Sequence, residues 1–412
     1  MALIILATIL ILGIALYQVV QGVFSSLIMA ILSLLCAMIA FNFYEPFAEA
    51  LLYSRQPATA DAIALVALFV LPLLAVRILA DRFIPGNVVF GMWADRILGG
   101  LLGIFSGMVL VGVLAVAAQM LPFGKSVLGY VPFEDNLTER KQRLWPFLPD
   151  EFVLGAVKMC SAGALSSERE YGRAHDDLLK ELFCARNKLG RHARVDARPD
   201  SLKVVRAFEV PDADVKAWAT DGDKGALSQK TNAQRIYVVR VQVDEYVREE
   251  KGSKAVNWWV LPATHFRLVT ANGTSHYPVA YLWHHPEKKQ WHTEEAKLEN
   301  GRPLIAQLFV GRKWDSKKKA LIVDWVYLIN EADRPGLEIE RLKGKPRAYV
   351  VFRRVAKDSV AQVVPQMPDP EDALEPLLPP ERHPPAKPPK KPPPATKPAA
   401  TQPTTKPAAS PS

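Results

Sequence analysis

The stretch ADRILGGLLGIFSGMVLVGVLAV, residues 94–116, sets a charged pair hard against an apolar run long enough to cross a bilayer. Gly99, Gly103 and Gly107 fall at i, i+4 and i+8, so on a helix they stack into one groove, with Asp95 one turn earlier on the same face. The carboxylate therefore heads a helix-packing surface. At a helix N-terminus it satisfies exposed N–H groups and the positive end of the dipole, while Arg96 stays among the headgroups. Capping and positioning are the expected role of this pair. Moving protons or ions would need a second intramembrane carboxylate to take the charge onward.

Three further segments, about 2–17, 23–43 and 61–80, join 97–121 as spans of the roughly 20 residues that a membrane helix needs. A soluble bundle would show polar faces, and the second and fourth segments show almost none. The reading is a four-helix transmembrane domain over residues 1–122. The N-terminus MALIILATIL has no Lys or Arg ahead of its apolar run and is expected to be a retained helix rather than a secretory leader. The turn from Gln18 to Gly22 is so short that the first two spans form a tight antiparallel hairpin. In the second span Gly22, Ser26 and Ala30 repeat the small-residue spacing, continued by Ser33 and Ala37, which suggests that helices two and four meet closely. The third holds Pro72 mid-run and approaches its end with Arg77 and Asp81 at i, i+4.

These residues carry a resemblance. The run VRILADRFIPGNVVFGMWADRILGGLLGIFSGMVLVGVLAV, residues 76–116, resembles the third and fourth helices of the colicin V production protein (CvpA) family, whose fourth helix opens with an Asp-Arg-hydrophobic-Gly pattern and carries a glycine ridge. The first hairpin is similar to that family's G-x-x-x-G start of helix two, and together the likeness covers roughly residues 1–165. It implies an inner-membrane protein associated with toxin production or export and with envelope maintenance, and no established reaction. Four family features are missing: an Asp in helix one, basic residues at the first turn, an acidic residue early in helix two, and an Arg where Ser106 stands.

Downstream, residues 123–165 read as an interfacial amphipathic segment. Asp150 is placed as an N-cap, Phe152, Val153, Ala156, Val157 and Cys160 form one apolar stripe, and Trp145 sits at headgroup depth. Residues 166–200 are charged and read as a linker. From 201 to 356 the period changes to that of strands, as in RIYVVRVQVDEYV from Arg235, where Tyr237, Val239, Val241 and Val243 share a face. SLKVVRAFE, NWWVLPATHFRLVT, HYPVAYLW, PLIAQLFVG, ALIVDWVYLI, LEIERL and RAYVVFRRV follow the same logic, and the set predicts an all-β, Ig-like sandwich. The segment is weakly similar to Ig-like domains attached to bacterial membrane anchors. From 364 to 412 the chain is Lys/Pro-rich with little to bury, and is expected to be disordered and extended.

Composition excludes several functions. The net charge of +9 is split between the tail and mixed-charge segments, with no basic face for nucleic acid. Cys36, Cys160 and Cys184 lie too far apart for a thiolate metal motif. His265, His276, His284, His285 and His292 crowd one segment, but without the helical i, i+4 pairing of a zinc site, and an aromatic-rich loop is expected there. Some proteins join CvpA-like helices to a trypsin-like domain; here no G-x-S-x-G or GDSGG-like stretch exists, so no catalytic residue and no cofactor is assigned. A channel reading fails for want of pore-lining polar residues. The expected partners are the lipid bilayer and an envelope or secreted protein; the alternative is a membrane anchor displaying an Ig-like partner- or wall-binding module. Arg55, Lys125, Arg140 and Lys141 flank one membrane face against Arg82 and Arg96 at the other, a margin leaning to a cytoplasmic C-terminus. The sandwich and tail look like envelope equipment, and the C-terminal domain is expected outside the cytoplasm.

Overall fold

The computed structural model describes residues 2–83, 91–162, 171–189, 195–216, 218–220, 225–248, 258–285, 290–313, 319–336, 348–360 and 363–368. Most of the Lys/Pro-rich tail and the strand expected at LEIERL lie outside them.

Four helices carry the apolar segments: α1 (Ala2–Gln21), α2 (Val23–Leu51), α3 (Ala60–Phe83) and α4 (Met92–Met120). Each is long and apolar enough to cross a membrane. The chain reverses between α1 and α2 on Gly22 alone, whose φ of 85° lies in the left-handed region that a side chain resists. After that turn α1 leaves α2 and runs along α4, while α4 also packs on α2, and α3 packs chiefly on α2. The outward faces, such as Ile9, Leu16, Leu71, Ile78 and Leu101, stay exposed as a lipid-facing surface requires.

Helix α5 (Pro149–Ala162) departs from the expectation of a helix lying on the bilayer. Its stripe faces protein: Val153 and Val157 are fully buried, Phe152 meets Phe105 of α4 edge-on at 5.5 Å, and Gly112 leaves no room for a Cβ beneath Pro149. Its buried Asp150 accepts a hydrogen bond from Gln119 Nε2 at 3.2 Å. An apolar stripe states that a face is buried, not what buries it. Among the described residues of this segment, Trp145 and Met159, 71% and 74% exposed, are the most exposed large apolar side chains.

The expected linker also proves structured where it is described. Short α6 (Tyr171–Ala174) precedes α7 (Leu178–Ala185), whose N-cap Asp177 accepts a hydrogen bond from the Lys180 amide. Leu179, Leu182 and Phe183 of α7 are buried in one core with Phe41 of α2, Leu65 of α3 and Val116 of α4.

The β region follows: β1 (Leu202–Val210), the one-turn α8 (Asp212–Val215), β2 (Ala219–Thr220), β3 (Gln234–Asp244), β4 (Trp258–Pro262), β5 (Phe266–Val269), β6 (Ser275–His276), β7 (Ala280–His285), β8 (Gln290–Glu295), β9 (Leu298–Glu299), β10 (Arg302–Pro303), β11 (Phe309–Lys313), β12 (Ala320–Asn330), β13 (Tyr349–Phe352), β14 (Ala356–Ser359) and β15 (Val363–Val364). Seven strands form one sheet in the order β15-β1-β3-β12-β7-β8-β2, with parallel pairs at both edges. Its inner face, including Val239, Val241, Val323 and Trp325, shares a core with Phe266, Leu268, Val350 and Phe352 of the four-stranded sheet β14-β13-β5-β6 and with Trp259 and Val310 of the β4–β11 pair. Strand pairing continues past residue 356 to Val364. On the other face of the large sheet, Arg240 of β3 and Asp324 of β12 stand opposite each other, both buried, in a bidentate pair at 2.7 and 2.8 Å.

Removing one member of such a pair leaves a buried charge uncompensated. Asp324→Ala is expected to destabilise the β region by about 3–5 kcal/mol, measured as a shift in the denaturant midpoint of tryptophan fluorescence; an unchanged midpoint contradicts this account.

Candidate functional site

The motif residues converge on the α1–α2 turn. Asp95 does cap a helix, but not its own: Oδ1 accepts a hydrogen bond from the backbone N–H of Val23, the first residue of α2, at 2.8 Å. Gly22, the residue before it, offers no side-chain cap, so the carboxylate of α4 supplies what the turn lacks. A Cβ on Gly22 would lie 2.8 Å from Asp95 Oδ2, so the turn needs glycine for its conformation and for this approach. Arg96 is exposed.

From that point the glycine ridge runs mainly along α1. Gly99 meets the carbonyl of Gln18 and the side chain of Ser26; a Cβ at Gly103 would stand 2.8 Å from Ala15 Cα; Gly107 faces Ile11. Thus Gly22, Ser26 and Gly99 come together as the spacing suggests, whereas Gly103 and Gly107 pack on α1 rather than α2, and Ala30 is buried further along α2. The Ser26 hydroxyl lies 2.7 Å from the Gly22 carbonyl and 3.0 Å from Gln18 Oε1, with both side chains buried. Arg77 of α3 donates to Ser25 Oγ at 2.8 Å and pairs with Asp81 at 3.1 Å, so α3 also reaches the hairpin. All four helices are tied at one polar centre. Its groups bond backbone and each other, an arrangement suited to fixing helix positions.

The opposite end of the bundle holds the residues that sequence reasoning missed. Glu45 of α2 pairs with Lys357 of β14 at 2.8 Å and with His175 Nε2 at 3.3 Å. His175 Nδ1 is 2.7 Å from Glu181 of α7, and Glu181 is 2.5 Å from Arg267 of β5. Asp61 of α3 accepts from the Tyr53 hydroxyl at 2.6 Å and pairs with Arg354 at 3.3 Å, and Arg354 also donates to the Met120 carbonyl that ends α4. Burial alone would lower the His175 pKa, but Glu181 and Glu45 outweigh it and raise it to about 9.

The tip of the β13–β14 hairpin makes much of this contact. Arg353 and Arg354 have φ of 49° and 65°, a conformation that costs a non-glycine residue about 1–2 kcal/mol. Their guanidinium contacts offset that strain. Arg353 Nε donates to His265 Nδ1 at 3.1 Å, so the other ring nitrogen carries the proton and donates to the Asn187 carbonyl at 2.9 Å. Burial first, and Arg353 second, hold His265 well below the ordinary histidine pKa, in keeping with this neutral tautomer.

The other histidines disperse. His276 faces Asp333 at 3.5 Å, and His284 and His292 lie on β7 and β8, where Trp283 stacks on His292 at 4.4 Å. The segment expected as a loop is largely a hairpin. Among the described residues no group of three or more His, Cys, Asp or Glu is placed to hold a metal ion.

Residues 3–131 match the family model described as Colicin V production protein, a stretch that contains all four apolar helices and the Asp95–Gly107 motif. No curated protein and no solved structure matches the chain.

Gly22→Ala strains the turn and displaces the capping carboxylate, while Asp95→Ala removes only the cap, at a cost of about 1 kcal/mol. Thermal unfolding in detergent is expected to rank Gly22→Ala as the more damaging; the reverse order counts against the cap. A second expectation concerns pH. The folded-state pKa of His175 is raised from its unfolded value of about 6.5, so its stabilisation is complete below pH 6.5 and is lost as pH rises through about 9. Hydrogen exchange over Leu178–Ala185 should accelerate across that window beyond its intrinsic chemistry, and His175→Gln should remove the extra dependence.

Proposed function

We propose that this chain is a non-enzymatic component of a bacterial inner membrane that serves the production or export of a secreted, colicin V-like toxin and the upkeep of the envelope, with its β region held outside the cytoplasm as a docking module for a secreted or envelope protein. The match of residues 3–131 supports a membrane protein of the colicin V production kind. What supports a working unit, rather than an anchor that merely displays a module, is the ionic seat: Glu45 and Asp61 of the bundle pair with Lys357 and Arg354 of one β hairpin. A displayed module needs only a tether. A module that must keep register with the helices needs fixed contacts, and these cross from three helices.

The seat can be cut without destroying the hairpin. Gly accepts the positive φ of position 354, so Arg354→Gly with Lys357→Gln keeps the turn and removes both cations that reach the bundle. The double variant is expected to reach the membrane with a folded β region and to lose toxin release; full release would favour the display reading. Orientation is tested by fusing alkaline phosphatase, and separately a fluorescent protein that matures only in the cytoplasm, to the C-terminus. Phosphatase activity without fluorescence is expected, and the opposite result would overturn the extracytoplasmic placement.

A further inference from the structure

We propose that the cavity between α5, α6 and the start of α7 binds the headgroup of an amine-bearing zwitterionic phospholipid, a phosphate joined to a primary ammonium. The cavity measures about 200 Å³, room for several waters. On its wall Arg140, Lys158 and His175 face Glu151, Asp176 and Asp177.

Those charges are held apart. Arg140 stands 3.9 Å from both Glu151 and Asp177, Arg143 Nε stands 3.6 Å from Glu151, and Lys158 Nζ, which donates to the Asp176 backbone carbonyl at 3.1 Å, is 3.8 Å from the Asp176 carboxylate, so each charge pair lies beyond hydrogen-bond length. The pairs of the ionic seat close to 2.8 Å or less where Glu45 meets Lys357 and His175 meets Glu181. Three buried polar atoms at the cavity have no hydrogen-bond partner: Arg140 Nη1, Glu151 Oε1 and the hydroxyl of Tyr171, a residue only 5% exposed. Buried polar atoms of this kind are normally satisfied by water or a ligand. The unmet groups are of both signs. An inorganic anion would leave Glu151 unanswered, and a bare cation would leave Arg140 unanswered, whereas a group carrying both a phosphate and N–H donors answers both.

Depth selects a lipid as the source. Helix α2 carries no charge from Val23 to Tyr44, so Glu45 marks where it leaves the hydrocarbon. His175 meets Glu45 at that level, and Tyr171 packs edge-on against Phe41 one turn deeper, with ring centroids 5.6 Å apart. The cavity thus lies at headgroup depth. Leu154 lines it, and exposed Met159 follows Lys158 on the same helix as a surface for an acyl chain.

The test is native mass spectrometry of the full-length protein in mild detergent, with phosphatidylethanolamine, phosphatidylcholine and phosphatidylglycerol of identical chains. Phosphatidylethanolamine is expected to be retained about tenfold better than the other two, the difference between a lipid with ammonium N–H donors and lipids without them. Tyr171→Phe removes a hydroxyl that bonds nothing in the protein, so its thermal stability should be unchanged while lipid retention falls about fivefold, one hydrogen bond's worth. Arg140→Gln is the second variant and should act in the same direction. Equal retention of the three lipids, or retention indifferent to both variants, overturns the site. Soluble O-phosphoethanolamine should displace the lipid only weakly; if it binds while the lipid does not, the membrane source is overturned.

Discussion

A carboxylate at the end of an apolar helix must find a counter-charge or stay in water, and this protein's architecture follows from how Glu45 and Asp61 are answered. Both lie where helices leave the apolar region, both are largely shielded from solvent, and both take their cation from the β13–β14 hairpin some 300 residues later in the chain. The contact orders more than itself. It brings α7 beneath the bundle, because Glu181 must lie between His175 and Arg267, and it makes the apolar core of α2, α3 and α4 continuous with Tyr277 and Val355 of the β region. Without Arg354 the Asp61 carboxylate would be left buried and unpaired, whereas Glu45 and Lys357 keep part of their surface in solvent.

The two ends of the bundle use different physics for the same purpose. At the hairpin end the ties are hydrogen bonds to backbone: Asp95 on the Val23 amide, Ser26 on the Gly22 carbonyl and Arg77 on the Ser25 carbonyl. Small residues then let α4 run close along α1, where packing and not charge provides the contact. At the other end the ties are ion pairs across chain segments distant in sequence. Helix α4 is thus held at both ends, by the Asp95 cap at one and by Arg354 on the Met120 carbonyl at the other.

Much of this was legible in the amino-acid order, and the remainder was hidden for identifiable reasons. Apolar run lengths marked the four helices, and glycine spacing marked the ridge, because a period of 3.6 places i, i+4 and i+8 on one face. The same period names a face and not its neighbour, so it could not say that Gly103 and Gly107 meet α1, or that the α5 stripe meets α4. Charge-rich composition concealed α7. Asp177 followed by Leu178, Leu179, Leu182 and Phe183 is an N-cap with an apolar stripe, a signal that was present within the segment read as linker. Strand β8 was missed because QWHTEE shows little alternation of its own and gains its place from pairing with β7. The ionic seat had no local signal. Glu45, His175, Glu181, Arg267 and Lys357 are spread over most of the chain, and only folding collects them.

The strained turn at Arg353 and Arg354 joins these threads. Two consecutive arginines at positive φ are a poor choice for a hairpin that needs only to reverse direction, since Asn-Gly would do so with less strain. Arginine is the better choice if each side chain must carry five donors away from the sheet. Arg353 turns inward, fixing the neutral form of His265 and, through it, the Asn187 carbonyl just after α7. Arg354 turns toward the membrane and meets α3 and α4 together. Some of the chain's backbone strain therefore sits in the turn from which Arg354 reaches the bundle, as expected of a turn shaped by what it must hold and not by the sheet it closes.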